Sequence, residues 1–242
     1  MDRQHRHQLK HDEFKDTLVQ FEEYFKQHYK EILNIAIIVV VVLGLASGLK
    51  YYTDRQEAAA NADLGEALAT FRASVGPPTP GQAGPGGATY ATAQEKYNKA
   101  LQQFDAILDR YKMLPHPKAV AIARYQAGVC QALLGDHAGA ILTLTEASQD
   151  HDAEVAAMAK FALAGELVNS GKTPQAAKLY QELADHPTIT VPKASALLAM
   201  ADAYRESQPA QARQIYERVE KEFASNTTVT QAVKQDIASL TP

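Results

Sequence analysis

The sequence contains a single cysteine, Cys130, and no tryptophan. One cysteine excludes an intramolecular disulfide framework and the paired-cysteine spacings of structural zinc sites. Basic residues are not in excess, because 24 Lys and Arg stand against 28 Asp and Glu and give a formal net charge of −4. Binding to phosphate backbones needs the opposite balance or a dense basic stripe, so we expect no nucleic-acid partner.

Motifs that carry catalysis or cofactor binding are also missing. The sequence has no Walker-type phosphate loop, no G-x-S-x-G elbow and no H-E-x-x-H pair. His5, His7 and His11 cluster near the N-terminus, but no cysteine accompanies them as a further metal ligand. Cys130 lies among apolar residues, where a free thiol behaves as a small hydrophobe. We therefore predict that the protein is not an enzyme and holds no cofactor or metal.

One long apolar run is present. Residues 32–49 form an 18-residue stretch without a charge, followed by Lys50, Tyr51 and Tyr52. As a helix this run is about 27 Å long, close to the roughly 30 Å hydrocarbon core of a bilayer. We predict a retained transmembrane helix at 32–52. A cleaved signal peptide is the alternative, but the 31 preceding residues mix seven acidic with six basic side chains, unlike a short positive leader.

The distribution of Lys and Arg around this helix predicts its orientation. Six basic residues precede the helix, whereas Lys50, Arg55 and Arg72 follow it. The bias places the N-terminus in the cytoplasm and, in a bacterium, the remainder in the periplasm, with the helix in the inner membrane. Gly44 and Gly48 form a G-x-x-x-G pair that predicts close packing of a second membrane helix. The alternative is that these glycines only reflect the composition of membrane helices.

Residues 1–31 are predicted to form a cytoplasmic segment with an amphipathic helix. Its apolar face repeats at spacings of four, three and four, through Phe14, Leu18, Phe21 and Phe25. Such a face docks on a membrane or on a partner protein. A plain membrane-entry helix, continuous with the span, fits the pattern as well.

The rest of the chain divides into a helix with a Pro/Gly-rich linker at 53–89 and a repetitive region at 90–242. Side chains of similar size recur there every 36 residues, in four registers. Three registers hold small residues and one holds large residues: Gly135, Gly171 and Ser207; Ala140, Ala176 and Ala212; Ala123, Ala159 and Ser195; and, for the large residues, Leu144, Tyr180 and Tyr216. A period in this range is typical of a solenoid, whose units stack to share a core. A degenerate half-unit precedes them, with Ala100, Phe104 and Ile107 at matching spacings.

The best copy resembles the tetratricopeptide repeat through Gly128, Gly135, Ala140, Leu144 and Ala147. Only a small side chain fits where two helices cross closely, and a glycine accommodates the left-handed turn that ends the first helix. We therefore predict an all-α fold: a single transmembrane helix followed by a short tetratricopeptide-like helical solenoid. The resemblance implies a partner-binding groove on the first helix of each repeat, lined by Tyr125, Val129, Phe161, Asn169, Leu197, Tyr204 and Arg205. Packing between repeats is the alternative role for any of these side chains.

The order of parts resembles the family of the ancillary Sec translocon subunit. That resemblance implies a membrane-anchored protein–protein interaction scaffold that hands translocated chains to periplasmic chaperones. Its partners would be the membrane, translocon subunits, chaperones or unfolded clients, and self-association is left open. The alternative is a structural or adaptor subunit of another envelope complex, such as the cell-division or outer-membrane assembly machinery.

Overall fold

The N-terminal part of the chain is one helix, α1, which runs from Arg3 to Arg72. The computed structural model describes residues 3–76, 89–112 and 117–240, with side chains from residue 26 onward. The chain divides into two units, residues 1–55 and 56–242. Within the described residues, α1 is the one helix long and apolar enough to cross a membrane.

In the first unit, the large apolar side chains from Leu33 to Leu49 are exposed, from 49% for Val39 to 69% for Leu45. A Cβ atom at Gly44 or Gly48 would meet nothing within 4 Å, so this face of the helix is open. The side chains of Phe14, Leu18, Phe21, Phe25 and the three N-terminal histidines lie outside the described residues. Their predicted roles stay predictions.

The second unit is a stack of helices. The last turns of α1 lead into β1 (Ser74–Val75), which pairs in parallel with β2 (Thr89–Tyr90). In the described residues eight helices follow: α2 (Ala93–Arg110), α3 (Lys118–Leu133), α4 (His137–Ala147), α5 (Ala153–Asn169), α6 (Thr173–Asp185), α7 (Lys193–Tyr204), α8 (Pro209–Glu222) and α9 (Thr227–Ser239). Each helix from α2 to α8 packs on the next, which confirms the predicted all-α solenoid.

We refer to α3–α4, α5–α6 and α7–α8 as pairs 1, 2 and 3. The turns inside pairs 1 and 2 are built alike. Gly135 and Gly171 adopt φ values of +85° and +73°. The amide that follows each glycine reaches back to a carbonyl five residues earlier, from Asp136 to Gln131 and from Lys172 to Leu167. These are the hydrogen bonds of a helix end closed by a left-handed glycine, as the sequence predicted.

The second helices of the pairs form the spine of the core. At their shared positions, Ala140, Ala176, Ala212, Leu144 and Tyr216 are fully buried and Tyr180 is 5% exposed. Gly128 in α3 faces Leu144 in α4, where a Cβ atom would lie 2.7 Å from Leu144 Cγ. The small residue therefore lets the two helices approach, as predicted.

The fourth predicted register is wrong in pair 3. Ala123 and Ala159 are fully buried, but Ser195 is exposed and the next residue, Ala196, is fully buried. The buried position of α7 thus comes 37 residues after Ala159. The extra residue lies between Ala176 of α6 and Ala196 of α7. One residue fewer separates Ala196 from Ala212 than separates the corresponding positions of pair 2. Ser207 does not take a positive φ, since no non-glycine residue in the described part does.

The end of α1, together with α2 and α9, completes the stack of described helices. The end of α1 contributes Ala60, Leu64 and Ala67 to one core cluster with Ala100 and Phe104 of α2. Residues 56–72 therefore pack with the repetitive region, ahead of the Pro/Gly-rich stretch. At the other end, α9 buries Val233 in the core shared with pairs 2 and 3 and leaves most of its remaining surface exposed.

Candidate protein-binding surface

The first helices of pairs 1 and 2 offer partly exposed apolar side chains. Tyr125 and Val129 of α3 and Phe161 of α5 are half-buried, and α3 packs directly against α5. Burial raises the pKa of Tyr125 above its ordinary value, so its hydroxyl stays neutral. Phe161 meets Tyr180 edge to face, with ring centroids 5.4 Å apart and an interplanar angle of 67°. We call the surface formed by Tyr125, Val129 and Phe161 the α3–α5 surface.

Two of the residues expected to line the groove belong to the core instead. Leu197 is fully buried and Tyr204 is 8% exposed. The cause is the one-residue shift of α7. With a step of 37 rather than 36, Phe161 corresponds to Leu198, which is half-buried, and Leu167 corresponds to Tyr204. Leu197 and Tyr204 therefore pack between helices and present almost no surface to a partner.

Arg205 is engaged within the chain. Its Nη2 atom donates to Asp236 Oδ1 at 3.0 Å and to Ser239 Oγ at 2.9 Å, both on α9. Its pKa is raised, first by the nearby Tyr216 and then by Asp202 and Asp236. The guanidinium thus fastens α9 to the end of α7 and is not free for a ligand carboxylate.

Asn169 takes part in a polar contact between pairs 1 and 2. Its amide donates to Glu166 Oε1 at 3.2 Å, and the other carboxylate oxygen lies 2.6 Å from His137 Nδ1. Glu166 is 9% exposed, so this carboxylate relies on protein partners for its hydrogen bonds. The Asn169 side chain is exposed, but its amide already has a partner.

Sequence reasoning missed several other half-buried apolar residues on the first helices of the pairs. Met158, Val168 and Leu198 are half-buried apolar residues on α5 and α7, packed against the same core as Tyr125 and Phe161. Met158 and Val168 lie three and seven residues from Phe161, at the spacings of a helical face, so that periodicity predicts them. Leu198 could have been found by aligning Ala196, rather than Ser195, with Ala159.

No other chemistry converges in the part of the chain with described side chains. It contains no cluster of three or more His, Cys, Asp or Glu side chains arranged to hold a metal ion. Cys130 is fully buried, and burial raises the pKa of its thiol to about 12. The thiolate, which is the reactive form, is therefore disfavoured.

Two family models, both described as tetratricopeptide repeat, match the chain over residues 86–154 and 195–226. The chain carries tetratricopeptide-like repeats. The first match covers α2 with pair 1, and the second covers most of pair 3. No curated protein and no solved structure matches the chain. These matches support the tetratricopeptide-like interpretation, whereas the translocon-subunit resemblance stays a prediction.

Proposed function

We propose that this protein is a membrane-anchored scaffold that binds other proteins through the α3–α5 surface and that it is not an enzyme. The observation that carries the proposal is the presence of uncharged, half-buried apolar side chains on the first helices of two adjacent tetratricopeptide-like repeats. Apolar surface of this kind gains free energy when a partner removes it from water. An apolar helix face or an extended apolar segment fits it best.

The anchor supports a place at a membrane. The apolar run of α1 exposes its large side chains in a stretch long enough to span a bilayer. With the Lys and Arg bias, this favours the inner membrane, with residues 53–242 in the periplasm. Protease treatment of intact spheroplasts tests the orientation. Protection of the repeats from external protease would refute it.

The finer proposal is assistance to protein translocation, with hand-off of chains between the Sec translocon and envelope chaperones. The full chain, extracted in mild detergent, is expected to co-purify with translocase subunits and a chaperone. Their absence from the bound set would overturn this assignment. Recovery of cell-division or outer-membrane assembly proteins instead would favour an adaptor subunit of those complexes.

A matched pair of variants tests the surface itself. Val129→Lys places a charge on the α3–α5 surface and is expected to reduce partner recovery at least tenfold. Gln214→Lys adds the same charge to an exposed position of α8 and is expected to change nothing. Circular dichroism checks that both variants fold, and the milder Tyr125→Ala supplies a second measurement. Equal recovery with all variants would exclude this surface as the binding site.

A further inference from the structure

The middle of α5 holds a glycine that the fold does not require. A Cβ atom on Gly165 would meet only Tyr180 Oη, at 3.8 Å, and the backbone of Gly165 is not in the left-handed region. Glycine inside a helix is less favourable than alanine, so neither packing nor backbone conformation accounts for this residue. Gly165 is half-exposed and lies four residues after Phe161, on the same face of the helix. The missing side chain therefore leaves a notch beside Phe161 of the α3–α5 surface.

A buried hydroxyl adjoins this notch. Tyr180 is 5% exposed, and its Oη atom has no hydrogen-bond partner on the protein among the described residues. The edge-to-face contact with Phe161 holds the tyrosine ring in place. Burial raises the pKa of Tyr180 to about 12, so at neutral pH the phenol keeps its proton and can donate a hydrogen bond. A buried donor without an acceptor is unfavourable, so an acceptor oxygen that enters the notch is stabilised by this hydroxyl.

Pair 3 contains the same tyrosine with an acceptor in place. Tyr216 lies 36 residues after Tyr180, and Asp202 lies 37 residues after Gly165, which is the step found for α7. Tyr216 is fully buried, and its Oη atom donates to Asp202 Oδ1. The first helix of pair 3 thus supplies the oxygen that the first helix of pair 2 lacks. An oxygen bound in the notch would take the place that Asp202 Oδ1 has in pair 3.

We infer that the notch at Gly165 receives a backbone carbonyl oxygen from an extended apolar segment of the bound protein, and that Tyr180 Oη donates a hydrogen bond to this oxygen. The inference rests on the proposed function of the α3–α5 surface, and it selects an extended segment over a helix as the partner. Carbonyl groups inside a helix already accept from amides of their own helix, whereas those of an extended segment are free to accept. A glycine also lets another backbone approach closely.

Electrostatics favour a neutral acceptor over a carboxylate. After burial, the second cause of the raised pKa of Tyr180 is the negative charge of Asp202. The same charge repels a carboxylate that approaches the tyrosine hydroxyl, but it does not repel a backbone carbonyl. The neighbouring side chains of the surface, Tyr125, Val129 and Phe161, are uncharged and suit the apolar side chains of the segment.

Fluorescence anisotropy with a defined peptide tests the hydrogen bond. The probe is a short fluorescein-labelled peptide in which valine alternates with serine and two prolines prevent a helix. The full chain in mild detergent is expected to bind it, and Tyr180→Phe is expected to raise the dissociation constant about fivefold, the value of one hydrogen bond. Gly165→Asp fills the notch with a carboxylate, as in pair 3, and is expected to raise it by about tenfold or more. Tyr216→Phe is the matched control, because its hydroxyl already has a partner inside the chain, and should leave the constant unchanged.

A second labelled peptide, in which leucine alternates with α-aminoisobutyric acid and which is therefore helical, tests the choice of an extended partner. Its affinity is expected to be lower and unaffected by Tyr180→Phe. An equal loss with both peptides, or an equal loss with Tyr216→Phe, would overturn the inference. Circular dichroism checks that each variant folds.

The Val129→Lys variant separates this inference from the proposed function. If Val129→Lys weakens binding of the extended peptide while Tyr180→Phe and Gly165→Asp do not, the surface is a binding site but the inferred hydrogen bond is wrong. If the wild type binds neither peptide, or if Val129→Lys has no effect, both the surface and the hydrogen bond are overturned.

Discussion

Gly128 lies against the side chain of Leu144, with no room for a methyl group between them. A Cβ atom on Gly128 would sit 2.7 Å from Leu144 Cγ and 2.8 Å from Leu144 Cδ2. Leu144 is fully buried, so its side chain has little freedom to move aside. The closest crossing within pair 1 therefore depends on this glycine.

Gly128→Ala is expected to destabilise the protein by up to about 2 kcal/mol, because overpacking at roughly 1–3 kcal/mol outweighs the gain in helix propensity of about 1 kcal/mol. Gly165→Ala is the matched control, since a Cβ there would meet only Tyr180 Oη, at 3.8 Å. It is expected to stabilise by up to about 1 kcal/mol. Urea unfolding of both variants measures the difference. Stabilisation by both substitutions would show that the Leu144 side chain moves aside to accept the added methyl group.

The turns of pairs 1 and 3 are expected to respond differently to substitution by alanine. Gly135→Ala forces a Cβ into the left-handed region at φ +85° and is expected to destabilise by about 1–2 kcal/mol. Ser207→Ala changes the corresponding turn of pair 3, which has no positive φ, and is expected to have an effect within about 0.5 kcal/mol. Thermal unfolding compares the two. Equal losses of stability would contradict this assignment of the turns.

Alkaline pH is expected to unfold the repeats. Burial raises the pKa of Tyr180 from 10.0 to about 12, with a smaller contribution from Asp202. The folded state therefore keeps the phenol protonated after the unfolded chain has ionised, and stability is lost as the pH rises from about 10 through 12. Tyr180→Phe should move the transition, followed by circular dichroism, to higher pH. Tyr51→Phe, at an exposed position, should leave it in place.

The contact between Arg205 and Asp236 is expected to hold α9 on the stack. Asp236→Ala removes the carboxylate acceptor of Arg205 Nη2 and should lower overall stability by no more than about 1 kcal/mol, since both side chains are about one-third exposed. Hydrogen exchange is the sensitive measurement. The amides of α9 should exchange faster, while those of α5 and α6 keep their protection. Unchanged exchange in α9 would mean that Val233 and Leu240 suffice to dock it.

Much of the fold followed from side-chain size at fixed spacing. The spine positions of α4, α6 and α8 were predictable because burial at a helix crossing restricts the side chain that fits. Gly135 and Gly171 were predictable because a left-handed backbone favours glycine. The same logic found Ala100, Phe104 and Ile107 in α2, all of which lie in the core.

The predicted groove was less successful, for a physical reason. A strict 36-residue period does not detect that one extra residue precedes Ala196 of α7 and that one residue fewer follows it before α8. For this reason Leu197 and Tyr204 were predicted to lie on the surface. Arg205 was predicted to meet a ligand because α9, its actual partner, lies outside the repeat pattern. The packing of Ala60, Leu64 and Ala67 was missed because their helix is separated from α2 by the Pro/Gly-rich stretch.

The one-residue shift of α7 changes which of its side chains face outward and leaves the core positions of the second helices unchanged. One residue of slip turns a helix by about 100° about its axis, which exchanges the side chains that face outward. Because the second helices keep their 36-residue step, the spine from Ala176 to Ala212 is undisturbed. A paired insertion and deletion of this kind lets such a chain acquire a new recognition surface without rebuilding its core, and it offers a protein engineer the same route.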